Sequence, residues 1–227
     1  MPVHMQKILP RLRRAAYSYS SKLPRIQPQD ILEGYADLKI TIPFISTHWE
    51  TATLFDHTFI AGLVHVVQPR TCLEIGTSLG LVTSTIASNA PDDTEIHTID
   101  QHGDERIGSF FRSRPEGRKI RQHVSLSTKF DFRPYAGSVD LMFIDGSHEF
   151  EDVSRDSENA FNVLTDRGVV IWHDVTPYFP GVMKALEASA KAGEIYRVQG
   201  TSCGFYAAPN APLKMRSGVV AQTLAMV

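Results

Sequence analysis

The sequence predicts an α/β domain, a mostly parallel sheet with helices on both faces, and three observations predict it. Strand and helix signals alternate between the two ends of the chain. Two runs, SVDLMFID (138–145) and GVVIWHD (168–174), are almost wholly apolar, as strands covered on both faces are. The last two strand signals, EIYRVQG (194–200) and CGFYAAP (203–209), are joined too closely for a helical crossover, so they should pair antiparallel.

Taken in order, FDHTFIAGLVHVV (55–67) has helical apolar spacing at Phe55, Phe59, Leu63 and Val66 and leads into a short strand, RTCLEIG (70–76). Helix LVTSTIASNA (81–90), strand EIHTID (95–100), a long polar connection from Gln101 to Gly117 and strand KIRQHVSL (119–126) follow. The two apolar strands come next, with EDVSRDSENAFNVL (151–164) as the helical crossover between them. Trp172 lies inside the fifth strand and is given a packing role.

The ends differ in kind. Lys7, Arg11, Arg13, Arg14, Lys22 and Arg25 all precede the first acid, Asp30. A transit peptide, a basic membrane-surface or partner helix, and a flexible or subunit-docking arm all fit that composition. Pro10 and Pro24 interrupt any long helix and favour the arm, assigned to residues 1–30. The domain then spans 31–208, and 209–227 reads as a tail.

The 227 residues suffice for one core without disulfide or metal staples. Cys72 and Cys203 sit in buried-strand runs and read as packing residues, in keeping with a reducing, cytoplasmic setting. A net charge of -2 offers no basic field for nucleic acid. No apolar stretch approaches the about eighteen residues a membrane helix needs, so a soluble protein with no integral membrane segment is expected. Subunit number is left open, a homo-oligomer included.

Chemistry gathers at the strand ends. In LEIGTSLGLVTSTIA (73–87), Gly76 and Gly80 bracket a tight strand-to-helix turn where the backbone can approach a ligand. A dinucleotide site would want G-x-G-x-x-G, but Ser78 and Leu81 hold its second and third glycine places, which disfavours NAD or NADP. Glu74, beside the turn, repels phosphates and attracts an ammonium or sulfonium group. Asp100, ending the second strand, can accept both hydroxyls of an adenosine ribose. Together these describe a pocket for an adenosine carrying a positive centre, S-adenosylmethionine.

LEIGTSLG, FIDGSHEFEDVSRD and WHDVTPYFPGV, in this order and spacing, resemble the class I S-adenosylmethionine-dependent methyltransferases, and more narrowly the small-molecule O-methyltransferases with their cephalosporin-hydroxylase-like relatives. The likeness covers roughly residues 50 to 208 and implies a Rossmann-like, doubly wound, seven-stranded sheet with an antiparallel last strand. It implies Gly76, Thr77, Ser78 and Gly80 around the methionine end, with Glu74 helping indirectly, and Asp100 on the ribose. Ser127, in HVSLSTKFDF, falls where relatives carry a Gly-Asp-Ser turn near the adenine, but here the Asp is missing.

Neighbouring strands lie about 4.8 Å apart, so Asp145, ending the fourth strand, should meet His173 and Asp174, ending the fifth, opposite the donor methyl. In one reading, Asp145, His173 and Asp174 hold a divalent cation that lowers the pKa of an acceptor hydroxyl. Metal-dependent relatives such as catechol O-methyltransferase place acids in this pattern. His173 is a departure: oxygen ligands suit magnesium, an imidazole shifts the preference toward manganese, iron or zinc. In the other reading, His148 or His173 is a general base oriented by Asp145 or Asp174. His148 could equally cap the helix that follows, and Asp156 could be a surface charge.

Phe110, Phe111, Tyr178 and Phe179 fit an apolar lid over the site or ordinary packing against a helix. Arg112, Arg114, Arg118, Lys119 and Arg121 read as a solvated face rather than as an acidic-acceptor site. Trp49 and Glu50 could close over the cofactor, and His57 and His65 receive no role. The expected function is methyl transfer from S-adenosylmethionine to a hydroxyl of a small molecule such as a sugar, phenol or natural product. An N-methyltransferase without metal, or a noncatalytic cofactor-binding protein, are the alternatives.

Overall fold

A computed structural model describes residues 21–32, 38–44 and 51–213. Its strands are β1 (Arg25–Ile26), β2 (Thr71–Ile75), β3 (Glu95–Asp100), β4 (Ile120–Val124), β5 (Val139–Ile144), β6 (Leu164–Trp172), β7 (Tyr196–Val198) and β8 (Gly204–Ala207). The helices are α1 (Pro28–Ile31), α2 (Leu54–Val67), α3 (Leu81–Asn89), α4 (Ser109–Arg112), α5 (Phe150–Val163) and α6 (Pro180–Ala188). They form a Rossmann-like α/β fold on one sheet of order β4-β3-β2-β5-β6-β8-β7-β1. Only β8 runs antiparallel to its neighbours, β6 and β7.

The sequence predicts seven strands, and the described residues form eight. The extra one, β1, comes from the segment read as an arm and pairs in parallel with β7, Arg25 opposite Arg197 and Ile26 opposite Val198. Two residues carry no periodicity to read. Helix α6 was likewise unannounced: its Pro180 start suits a first helical turn, but the run is short and follows a loop rich in Pro and aromatics.

Two cores flank the sheet. Phe59, Ile60, Leu63 and Val64 of α2, with Val82 and Ile86 of α3, pack on Cys72, Leu141, Phe143, Val169 and Ile171. Val153, Ala160 and Val163 of α5, with Val182, Met183 and Leu186 of α6, pack on Leu73, Ile75, Met142, Ile144, Val170 and Trp172. The alternation along each strand sends neighbours to opposite faces, so every residue of β5 is buried. Each such aliphatic side chain contributes about 1.5–3 kcal/mol. Trp172 packs as expected and donates its indole N–H to Ser157 Oγ at 2.9 Å, tying β6 to α5. Cys72 and Cys203 are buried free thiols. Among the described residues no helix is long and apolar enough to cross a membrane.

Register brings the chemistry into one row. Ile75 stands opposite both Ile99 and Ile144, and Ile144 opposite Trp172. The next residues, Gly76, Asp100, Asp145 and His173, are therefore level at the carboxyl edge, where the sheet order reverses about β2 and open α/β sheets bind their ligands. Backbone bonds extend the row: Gly76 N–H to Ile99 O and Asp145 N–H to Ile75 O at 2.8 Å, and His173 N–H to Ile144 O at 3.0 Å.

Candidate active site

The candidate residues at the carboxyl edge fall into two groups. On the β2–β3 side, the turn from Gly76 to Gly80 runs through left-handed backbone at Gly76 (φ 96°), Ser78 (φ 47°) and Gly80 (φ 84°). A Cβ at Gly76 would lie 2.0 Å from the carbonyl oxygen of Asp145, so only glycine lets the first turn pass beside the end of β5. Gly80 caps α3, and Phe111 lies where its Cβ would be, 2.5 Å away. Asp100 orders the turn with both oxygens, accepting the Ser78 N–H and the His102 N–H at 2.9 Å each.

The hydroxyl of Thr77 is buried and pairs with that of Thr98 at 2.6 Å, so it is already engaged within the fold. Glu74 is buried too, and one of its carboxyl oxygens accepts from the hydroxyls of both Thr83 and Thr98. Burial pushes its pKa up to about 8, against the two hydroxyl bonds, with the nearby Asp145 and Asp100 pushing the same way. Glu74 is thus a mostly neutral tie between β2, β3 and α3 at neutral pH, and the anion that faces the turn is Asp100. Ser127 starts a short helical turn after β4, and its side chain works against the burial of Asp156 on α5. Asp156, weighed as a surface charge, is buried, and burial lifts its pKa to about 6.

The β5–β6 side brings Asp145, His148, His173 and Asp174 together. Nε2 of His148 lies 3.0 Å from Asp174 Oδ2 and 3.9 Å from Asp145 Oδ1. Nδ1 of His173 lies 3.4 Å from Asp145 Oδ2 and 3.6 Å from Asp174 Oδ1. Each carboxylate therefore spans the two imidazoles, one oxygen toward each. His148 is half-exposed and stacks on Phe179, with ring centroids 4.3 Å apart. Its pKa is raised by Asp174. His173 is buried beneath the others; burial pulls its pKa down, but Asp145, Asp174 and Asp56 outweigh that and raise it well above the ordinary imidazole value. Asp174 falls to about 2 despite its burial, because His148 and His173 favour its charged form.

One ligand atom each from Asp145, His148 and Asp174 lie within 4.8 Å of one another, a spacing suited to a cation. Sequence reasoning placed His173 in that set; the loop after β5 instead brings His148 to the solvent side of both acids. Sequence reasoning also missed Asp56, fully buried on α2 with Oδ2 3.5 Å from Nε2 of His173. Its visible signal was the capping box of Thr53 and Asp56, which says nothing of a partner 117 positions away.

Of the remaining candidates, Phe111 is buried, Phe110 packs edge-on against Phe44, and Tyr178 is exposed. Gly108 and Phe110 donate backbone N–H groups to the carbonyls of Ser78 and Leu79, at 2.8 and 3.0 Å, so the polar connection folds back onto the glycine turn. The cations serve structure: Arg112 bonds the carbonyls of Glu105 and Ile107, Arg114 sits over Phe110, Arg118 pairs with Asp92, Lys119 bonds the carbonyls of Ala87 and Ala90, and Arg121 pairs with Glu95. Trp49 and Glu50 lie outside the described residues.

Residues 73–175 match the profile of a family described as a methyltransferase domain. Among curated proteins, y4gI of Sinorhizobium fredii is 29% identical over 155 residues, 60% of this chain; the match spans 17% of that protein's length. Among solved structures, the O-methyltransferase TomG of Streptomyces achromogenes, bound to S-adenosylmethionine, superposes with a TM-score of 0.55 at 20% identity, covering 68% of this chain and 79% of its own. The methyltransferase PaMTH1 of Podospora anserina, bound to S-adenosylhomocysteine, gives 0.56 at 14%, covering 68% and 78%. An O-methyltransferase of Bacillus cereus, with the same ligand, gives 0.51 at 18%, covering 70% and 81%. At these identities the structural likeness is one of fold. The matched stretch runs from β2 past Asp174 and takes in both groups of strand-end residues, so this part of the chain resembles a methyltransferase domain.

Proposed function

We propose that the protein transfers the methyl group of S-adenosylmethionine to a hydroxyl oxygen of a small molecule. One observation carries this reading: the row at the carboxyl edge sets a glycine turn and a ribose-type acid, Gly76 and Asp100, level with a cluster able to handle a proton, Asp145, His148 and Asp174. Methyl transfer is an in-line displacement at carbon, and a hydroxyl becomes a good nucleophile as it loses its proton. The backbone from Gly76 to Gly80, with Thr77 and Ser78, receives the methionine end. Asp100 accepts the ribose hydroxyls, Ser127 borders the adenine, and Glu74 acts through Thr83 and Thr98.

On the acceptor side Asp145, His148 and Asp174 bind the hydroxyl. Two carboxylates and one imidazole fit a divalent cation, manganese better than magnesium. When bound, such an ion lowers the pKa of the acceptor oxygen. The 3.0 Å contact of His148 with Asp174 also supports a second reading, in which this imidazole takes the proton without an ion. A cytoplasmic setting suits the two buried thiols.

The decisive measurement is S-adenosylhomocysteine formation against a panel of hydroxyl acceptors, with chelator and with added Mn2+. Loss on chelation and recovery with Mn2+ are expected. Turnover unchanged by chelator and by Asp174→Ala together would remove the ion, and no turnover with any hydroxyl acceptor would remove the reaction.

A further inference from the structure

Asp56 is more elaborate than a helix cap needs to be. Its Oδ2 accepts the backbone N–H and the hydroxyl of Thr53, both at 2.7 Å, and those two bonds serve the start of α2. Its Oδ1 accepts the Ser202 N–H at 2.7 Å and faces the Cys203 thiol at 3.7 Å. Caps stand at helix ends in reach of water, whereas this carboxylate is fully buried, a costly place unless a group of opposite sign is set against it. His173 is that group, with Nε2 3.5 Å from Oδ2. The far side of the same ring meets Asp145 Oδ2 and Asp174 Oδ1, and the second oxygen of each acid is thereby turned toward His148. Nδ1 makes no hydrogen bond there and meets the two acids as ion-pair contacts, so a ring pinned at its Nε2 edge fixes where that contact point lies between them.

We infer that Asp56 is a positioning residue: acting through His173, it sets the rotation of the Asp145 and Asp174 carboxylates, so that one oxygen of each is held inward and the other is offered to the acceptor beside His148. This rests on the acceptor site proposed above. It gives His173 a different part from metal ligand or base, that of the rigid link between a buried acid on α2 and the two acids at the ends of β5 and β6. Without the link, each carboxylate is free to turn about its own bonds, and misplacement of a reacting group by even about 1 Å can cost about a hundredfold in rate.

The test compares Asp56→Asn, His173→Gln, their double variant and Thr53→Ala, in full-length protein, by steady-state kinetics, by calorimetric binding of S-adenosylmethionine and by crystal structures. Thr53→Ala removes the cap hydroxyl and leaves the carboxylate of Asp56 facing His173. Expected are a fall in kcat of about ten- to a hundredfold for Asp56→Asn and for His173→Gln, no further fall in the double variant, and rotated Asp145 and Asp174 side chains in both single variants. The dissociation constant for S-adenosylmethionine should stay within about twofold throughout, and Thr53→Ala should hold wild-type kcat within the same margin.

Wild-type kcat in Asp56→Asn, a loss no larger than that of Thr53→Ala, or losses that multiply in the double variant would overturn the inference. Should Asp56→Asn fail to fold, His173→Gln decides alone, since it leaves the Thr53 and Ser202 bonds intact; unchanged kcat and unchanged carboxylates there would equally overturn it. If the wild type turns over no acceptor, the proposed reaction falls, and the crystal structures still judge the positioning: carboxylates that keep their orientation in Asp56→Asn would refute it.

Discussion

A methyl group added at Gly76 has no room, since its carbon would sit 2.0 Å from the Asp145 carbonyl oxygen at a φ that side chains avoid. Gly76→Ala should therefore destabilise the protein by about 1–3 kcal/mol or more and weaken S-adenosylmethionine binding together, measurable by denaturant titration and calorimetry. Glu74 makes a different forecast. Its ordinary pKa is 4.5 and burial raises it to about 8 in the fold. Between those values the folded chain keeps a proton that the unfolded chain has released, so this group's contribution to stability declines as pH rises and levels off above about 8. Melting temperatures of wild type and Glu74→Gln from pH 5 to 9 should show the wild type losing ground as pH climbs; parallel curves would refute the assignment. Strand-ending acids such as Asp100, Asp145 and Asp174 were legible because strand limits are local patterns. Asp56 was not, because burial of its carboxylate depends on Ser202, 146 positions away.

Helix α2 begins with a reciprocal capping box between Thr53 and Asp56. Loss of the hydroxyl in Thr53→Ala should cost about 1 kcal/mol, a fall of about 2–4 °C in Tm for a domain of this size. The outer strands carry a second titrating feature. Nδ1 of His97 on β3 lies 3.0 Å from Nε2 of His123 on β4, under Tyr135 and Phe130, with Glu95 and Arg121 at the same edge. Burial lowers both imidazole pKa values, and for His97 the charges of His123 and Arg121 add to it. The unfolded chain then takes up protons first on acidification, so stability is lost as pH falls through 6.5 toward the lower folded values. Thermal melts at pH 7.5 and 5.5 should show a smaller acid-induced drop for His123→Phe than for wild type. Long elements were readable from period and composition, whereas β1 and α6 were not: a pair of residues at an edge is chosen by the neighbour it meets, Val198 in the case of Ile26.

Across the whole molecule, the proposed function divides one sheet between two separable tasks, with the cofactor half on β2 and β3 and the acceptor half on β5 and β6. Asp100→Ala should weaken S-adenosylmethionine binding by at least about tenfold, the scale of lost charge-assisted bonds, while sparing the acid and imidazole cluster. Asp174→Ala should do the reverse, leaving calorimetric binding near wild type and removing turnover. The alternation of strand and helix made the architecture legible, and strand register, once the strands were placed, made the row of site residues legible with it. Which imidazole faces solvent was not readable, because it depends on the path of a loop: α6 comes close enough for Gly181 to touch the backbone of His148. The connection that lies on the glycine turn through Gly108 and Phe110 is held there by backbone bonds alone at those two residues. Lifting it would trade two backbone bonds for water, about 1 kcal/mol net each, so a detached connection would be a minority of a few per cent at most.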